Sequence, residues 1–200
     1  MNELLIINAS PRNTHSNSKQ YGQLLKQFIT SEYLEIMKTN HEQICQNITK
    51  YKNIVFVFPL YADALPATFL DFLKTLEKYH FETKPVVSVI INCGFLEPEQ
   101  NDVAIEMVKL FCLQNKYSFG SVLKIGGGEA ILKTPFKCLV KHKIKKLAHS
   151  IKTKKYCQLK VTMPISKKMY LKASTNYWLN YGKANNLTKD KMATMKIEDK

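Results

Sequence analysis

The sequence predicts an α/β fold: a three-layer sandwich whose five-stranded parallel sheet runs in the order 2-1-3-4-5, with extra helices at the C-terminal end. Three observations predict it. Short apolar runs alternate with stretches of helical period, as strands joined by crossover helices require. The runs at 4–7, 54–58 and 86–91 are almost uninterrupted by polar residues, the pattern of strands covered on both faces. The chain of 200 residues is short for a closed eight-stranded barrel, which typically takes about 250, and suits one open doubly wound sheet.

The elements follow in order. A first strand is expected at 3–9 and a helix at 17–30, on the face formed by Tyr21, Leu24, Leu25 and Phe28. Tyr33 to Met37 reads as the second strand, and Asn40 is placed to cap a short helical stretch through Cys45 and Ile48. The third strand is 54–58, followed by a helix striped with Phe69, Leu70, Phe72, Leu73 and Leu76. The fourth is 86–91. The next helix, 101–114, carries Val103, Met107, Leu110 and Phe111 on its apolar side, and the fifth strand is 119–125. The remainder reads as helical: Phe136, Leu139, Val140, Ile144, Leu147 and Ile151 form one stripe, and beyond Pro164 Tyr170, Ala173, Tyr177, Trp178 and Tyr181 form another. One domain over 1–188 and a polar tail over 189–200 are expected.

Composition excludes several classes. The hydrophobic share of 45% and charged share of 23% are those of a globular domain. No apolar run approaches the ~20 residues that span a bilayer. The N-terminus lacks the basic cluster of a signal peptide. The five cysteines are widely spaced and include no C-x-x-C pair, so neither a disulfide framework nor a zinc site is signalled. A reducing, cytoplasmic compartment is expected. The net charge of +14 is uneven: residues 133–200 hold 18 lysines against Asp190, Glu198 and Asp199. Lys137, Lys141, Lys145 and Lys152 fall away from the apolar stripe of their helix.

In an open parallel sheet, ligands sit at the carboxyl ends of strands near the switch in strand order. The loops after strands one, three and four are the most distinctive in the chain. The first, Ser10 to Ser18, opens onto a helix N-terminus, whose free N–H groups and partial positive charge suit a phosphate. Ser10, Ser16, Asn17 and Ser18 add donors, and Arg12 is the one arginine among 30 basic residues. The second, Pro59-Leu60-Tyr61-Ala62-Asp63, holds an aromatic suited to a flat ring. The third, Asn92-Cys93-Gly94-Phe95, combines an amide with a glycine that permits close approach. A phosphate at one end and a planar heterocycle at the other outline FMN. The glycines of a Walker A or Rossmann fingerprint are absent from the first loop.

These loops, with Gly126-Gly127-Gly128-Glu129 and the terminal helix bearing Trp178, resemble the flavodoxin-like NAD(P)H-dependent FMN reductase and quinone reductase superfamily. Ala9 and His15-Ser16 stand where many of its members have glycine. The resemblance implies a cytoplasmic homodimer whose first loop binds the FMN phosphate. The loops of Pro59 to Asp63 and Asn92 to Phe95 would flank the isoalloxazine ring. It implies hydride transfer from NADPH or NADH through FMN to a quinone, a nitro or azo compound, or free flavin. No catalytic side chain and no metal ligand is assigned. Two rival readings are a flavodoxin-type electron carrier and a non-enzymatic module binding anionic partners through the basic C-terminal third. Carriers of that kind are generally acidic, and motifs for RNA or DNA are missing.

Overall fold

The computed structural model describes residues 2–12 and 15–193; Asn13 and Thr14 of the first loop, and the tail beyond Ala193, lie outside the described residues. The chain divides into two compact units, Met1–Met163 and Pro164–Lys200.

The first unit is a parallel sheet with helices on both faces. Its strands are β1 (Asn2–Asn8), β2 (Glu32–Glu35), β3 (Tyr51–Pro59), β4 (Val86–Asn92), β5 (Phe119–Ile125) and β6 (Gln158–Val161). They lie in the order β2-β1-β3-β4-β5-β6, every pair parallel. The predicted order holds for the first five, and the sheet has one strand more than the sequence predicts. β6 is an edge strand of four residues in which only Val161 is buried, so it lacks the apolar run that marks its neighbours. The interior strands behave as their composition requires. Leu4 to Ile7, Ile54 to Phe58 and Val89 to Ile91 are each at most 1% exposed, which is the two-sided burial of a parallel sheet.

Five helices cover this sheet: α1 (Asn17–Lys26), α2 (His41–Asn47), α3 (Ala67–Leu76), α4 (Asp102–Gln114) and α5 (Lys137–Thr153). α1 and α5 pack together over β3, β5 and β6, while α2 pairs with α3, and α4 lies over β4 and β5. Phe69 of α3 sits between Phe56 and Phe58 of β3, with ring centroids 4.9 and 4.8 Å apart. Such buried rings are worth roughly 1.5–3 kcal/mol each in area alone. Asn40 stands at the N-cap of α2 as expected, but its side chain makes no capping bond. Its side chain accepts from the Met37 N–H and donates to the Glu35 carbonyl, both at 2.9 Å, so it secures the turn before the helix.

α4 corrects a second expectation. Of the four residues assigned to its apolar side, only Phe111 is buried; the face on the sheet is Ala104, Ile105, Val108, Phe111 and Cys112. Val103, Leu110 and Leu113 face outward, 60, 53 and 76% exposed. Apolar residues occupy both sides of this helix, so the period alone cannot say which side meets the sheet. α5 follows its predicted stripe, burying Val140, Ile144, Leu147 and Ile151, although Leu139 is exposed.

The second unit contains α6 (Lys167–Ala184) and α7 (Lys189–Met192). The Ser166 hydroxyl accepts from the Met169 N–H and caps α6; Thr188 caps α7 in the same way through Lys191. The first residues of the expected polar tail are thus helical. Gly182 is buried beneath Met192. Among the described residues no helix is long and apolar enough to cross a membrane.

Candidate functional site

Register sets the strand ends along one side of the sheet, with β3 and β4 running two residues past β1. Asn8 is opposite Val57, Pro59 opposite Asn92, and Asn92 opposite Ile125. The ladder continues past the strands, with Ala9 N–H donating to the Val57 carbonyl, Leu60 N–H to Asn92, Cys93 N–H to Ile125 and Gly126 N–H to Val161, at 2.8 to 3.0 Å. The four loops therefore emerge along one edge of the sheet.

Two buried asparagines organise that edge. β1 ends Ile6-Ile7-Asn8 and β4 ends Ile90-Ile91-Asn92, the same tripeptide, with Asn92 two residues further along the sheet than Asn8. Asn8 Oδ1 accepts from the Ser10 N–H at 3.1 Å, and its Nδ2 reaches Ser16 Oγ at 3.4 Å. Asn92 Nδ2 donates to Ser18 Oγ at 3.0 Å and to the Phe58 carbonyl at 3.2 Å. Asn92 thus ties the start of α1 to the ends of β3 and β4. Both asparagines are at most 4% exposed, and a buried amide without partners would cost about 1–3 kcal/mol. The repeated Ile-Ile-Asn is the signal by which Asn8 could have been found in the sequence.

The first loop is held from within. Ser10 Oγ accepts from the Arg12 N–H at 3.4 Å, and Ser16 caps α1 by accepting from the Lys19 N–H at 3.1 Å. Ser10, Ser16 and Ser18 are all buried, whereas Arg12 is exposed and Asn17 half-buried. The first N–H groups of a helix have no intrahelical acceptor, and those of Asn17 and Ser18 belong to that turn.

The second loop reverses tightly. Tyr61 and Ala64 exchange backbone hydrogen bonds at 3.1 and 2.9 Å, and the residues between them, Ala62 and Asp63, have φ of 46° and 56°. A left-handed residue with a Cβ costs roughly 1–2 kcal/mol, so the turn holds strain. Such strain persists where surrounding structure imposes it, and it gathers at ligand-binding loops. Leu60 and Pro59 are half-buried, and the Tyr61 ring is 37% exposed.

In the third loop the cysteine turns inward. Cys93 Sγ lies 3.6 to 3.8 Å from the carbonyls of Phe95, Glu97 and Ile125 and accepts from Asn101 Nδ2 at 3.3 Å. Burial pushes its thiol above the ordinary value, opposite to the shift that activates a nucleophile. Gly94 lies on the open side: a Cβ there would meet nothing nearer than Glu129 Cδ at 4.0 Å. Phe95 is 52% exposed.

The triple glycine joins the edge together. Gly127 is left-handed at φ 59°, which glycine adopts without strain. A Cβ on Gly128 would lie 2.8 Å from Asn92 Cβ, so only glycine lets this turn close on the asparagine. Tyr21 of α1 donates from its hydroxyl to the Gly128 carbonyl at 2.7 Å, and burial holds that phenol protonated, its pKa well above the ordinary value. Tyr21 supports the site through a bond between elements distant in sequence, which no local pattern announces, and Asn101 does so from eight residues beyond Cys93. Among the described residues no group of side chains is arranged to hold a metal ion.

The edge offers an exposed cation and a helix N-terminus in the first loop, an exposed Tyr61 in the second, and an exposed Phe95 beside the unobstructed Cα of Gly94 in the third. No family model matches the chain, and no curated protein sequence does. Solved structures do match. An FMN-dependent NADH-azoreductase from Bacillus anthracis in complex with FMN is 18% identical, with a TM-score of 0.55 over 76% of this chain and 99% of that one. An NAD(P)H:quinone oxidoreductase from Methanothermobacter marburgensis is 11% identical, with a TM-score of 0.57 over 76% and 96%. A flavodoxin from Streptococcus pneumoniae is 13% identical, with a TM-score of 0.56 over 76% and 99%. The fold is flavodoxin-like.

Proposed function

We propose that this flavodoxin-like chain binds FMN at the C-terminal edge of its sheet and catalyses NAD(P)H-dependent reduction of a small molecule. The acceptor class is a quinone, a nitro or azo compound, or free flavin. The observation that carries this reading is the Asn92–Ser18 hydrogen bond of 3.0 Å. It locks the start of α1, the end of β3 and the loop after β4 into one rigid edge before any ligand arrives, and preorganised donors bind without a further ordering cost.

The donor set fits FMN. A phosphate dianion matches the first turn of α1 together with the guanidinium of Arg12. A flat ring matches the exposed Tyr61 and Phe95 side chains and the steric room at the Gly94 Cα. In the second loop the N–H groups of Leu60, Tyr61 and Ala64 already serve the fold. The N–H groups of Ala62 and Asp63 are therefore the second loop's candidates for stabilising negative charge. When bound, FMN supplies the hydride chemistry between nicotinamide and acceptor. No side chain here acts as an acid or base, in keeping with the buried, protonated state of Tyr21 and Cys93. The assembly belonging to this reading is a cytoplasmic homodimer, which light scattering would measure.

The test is spectroscopic. The purified protein should be yellow, and the flavin released on denaturation should run as FMN. Arg12→Ala should weaken its binding by about 1.5–3 kcal/mol, the size of a hydrogen bond to a charged group. NADPH or NADH should bleach the flavin absorbance in stopped flow. FAD, or no affinity for flavin, would refute the reading. Flavin bleached by dithionite and by neither nucleotide would make the protein an electron carrier.

A further inference from the structure

α6 has a feature that flavin chemistry does not use. Its Tyr177, Trp178 and Tyr181 rings are 56, 49 and 56% exposed and touch one another, with centroids 5.3 to 6.4 Å apart. At 100° per residue these rings and Leu171, itself 54% exposed, share one side of the helix. Lys168, Lys172 and Lys183 fall on the opposite side, with the exposed Met169, and Lys167 lies on the aromatic side at its N-terminal end. The chain from Ala130 to Lys189 contains fifteen lysines and no aspartate or glutamate.

We propose that α6 is a membrane-surface helix, laying its aromatic face into the headgroup layer of an anionic bilayer while its lysines meet the lipid charges. Tyrosine and tryptophan favour that layer because each has an apolar body and a polar tip. Helices that lie in the interface combine aromatic and aliphatic residues on one face with lysines on the other, and lysine stems reach back to the headgroups. The helix is not apolar enough to span, so docking is reversible and electrostatically assisted. Single-stranded nucleic acid favours a different arrangement, with cations and aromatics interleaved in one groove.

Trp178 is the chain's one tryptophan, so its emission reports on this face alone. The full-length protein is mixed with phosphatidylcholine vesicles, with and without phosphatidylglycerol. Anionic vesicles should shift Trp178 emission to the blue and co-sediment the protein. Neutral vesicles should do neither. The effect should fade between ~0.1 and ~1 M salt, where the Debye length falls from about 10 to about 3 Å. Lys168→Gln with Lys172→Gln and Lys183→Gln should weaken co-sedimentation by about tenfold or more. Tyr177→Ser with Tyr181→Ser should abolish the blue shift, with circular dichroism checking that helix content is kept. Equal binding to neutral vesicles, or unchanged emission with anionic ones, would overturn the proposal. Emission already blue without lipid would mean that protein covers this face. Quenching by an oligonucleotide without a vesicle response would reassign it to nucleic acid.

Discussion

α4 and α5 flank the same sheet and differ in what they show to the outside. α4 buries Ala104, Ile105, Val108, Phe111 and Cys112, and α5 buries Val140, Ile144, Leu147, Ala148 and Ile151. Outward, α5 presents Lys137, Lys141, Lys145 and Lys152, all exposed, whereas α4 presents Val103, Leu110 and Leu113. The lysines make the inward face of α5 unambiguous, because a charge is not buried without a partner. α4 has apolar side chains on both sides, and the shape of the sheet beneath decides which are covered. A stripe locates a buried face only when the opposite face is polar.

Large-to-small substitutions test that contrast most strongly. Ile105→Ala in α4 and Ile144→Ala in α5, at sites 4 and 0% exposed, should each destabilise by about 2–5 kcal/mol, read from urea unfolding. A loss below 1 kcal/mol at Ile105 would mean that α4 is turned the other way in solution.

The cysteines of the two helices provide a second comparison. Cys112 is buried in α4 and Cys138 exposed in α5. Burial pushes the Cys112 and Cys45 thiols up to about 12, against about 8.5 for a free thiol. A folded-state value above the unfolded one contributes stability that is whole below about pH 8.5. It is lost as pH rises toward about 12, at up to about 1.4 kcal/mol per pH unit for one such thiol. Maleimide on the native protein should label Cys138 first, and Cys112 only after unfolding. Early labelling of Cys112 would show that α4 opens locally.

The smallest effect is expected on the outward ridge of α4. Leu110→Lys and Leu113→Lys should each change stability by no more than about 0.5 kcal/mol. A loss above about 1 kcal/mol, with a fall in mass by light scattering, would show that a second copy covers the ridge.

Much of the edge that forms the candidate site was legible before any coordinates. The apolar runs located β1, β3 and β4, and their sharp ends located the loops from Ser10, Pro59 and Asn92. What each side chain does there was less legible. Asn92 and Cys93 follow one another in the loop, yet Asn92 holds α1 and Cys93 turns into its own turn. Tyr21 looked like one more residue of a buried helical face, and its hydroxyl spans 107 positions to Gly128. β6 was invisible because four half-polar residues do not carry a strand pattern of their own.

By itself the sequence determined the alternation of strands and helices, the polar loops at their ends and the basic charge from Lys133 on. These follow from local chemistry: apolar period, turn residues and charge, each read within a window of about ten residues. Only the tertiary structure decided which side of α4 is covered, that Gln158–Val161 joins the sheet, and which polar atoms at the edge are committed to one another. Those outcomes depend on partners brought close by folding rather than by sequence. Whether a leucine is buried or an amide satisfied is a property of what the assembled chain places against it.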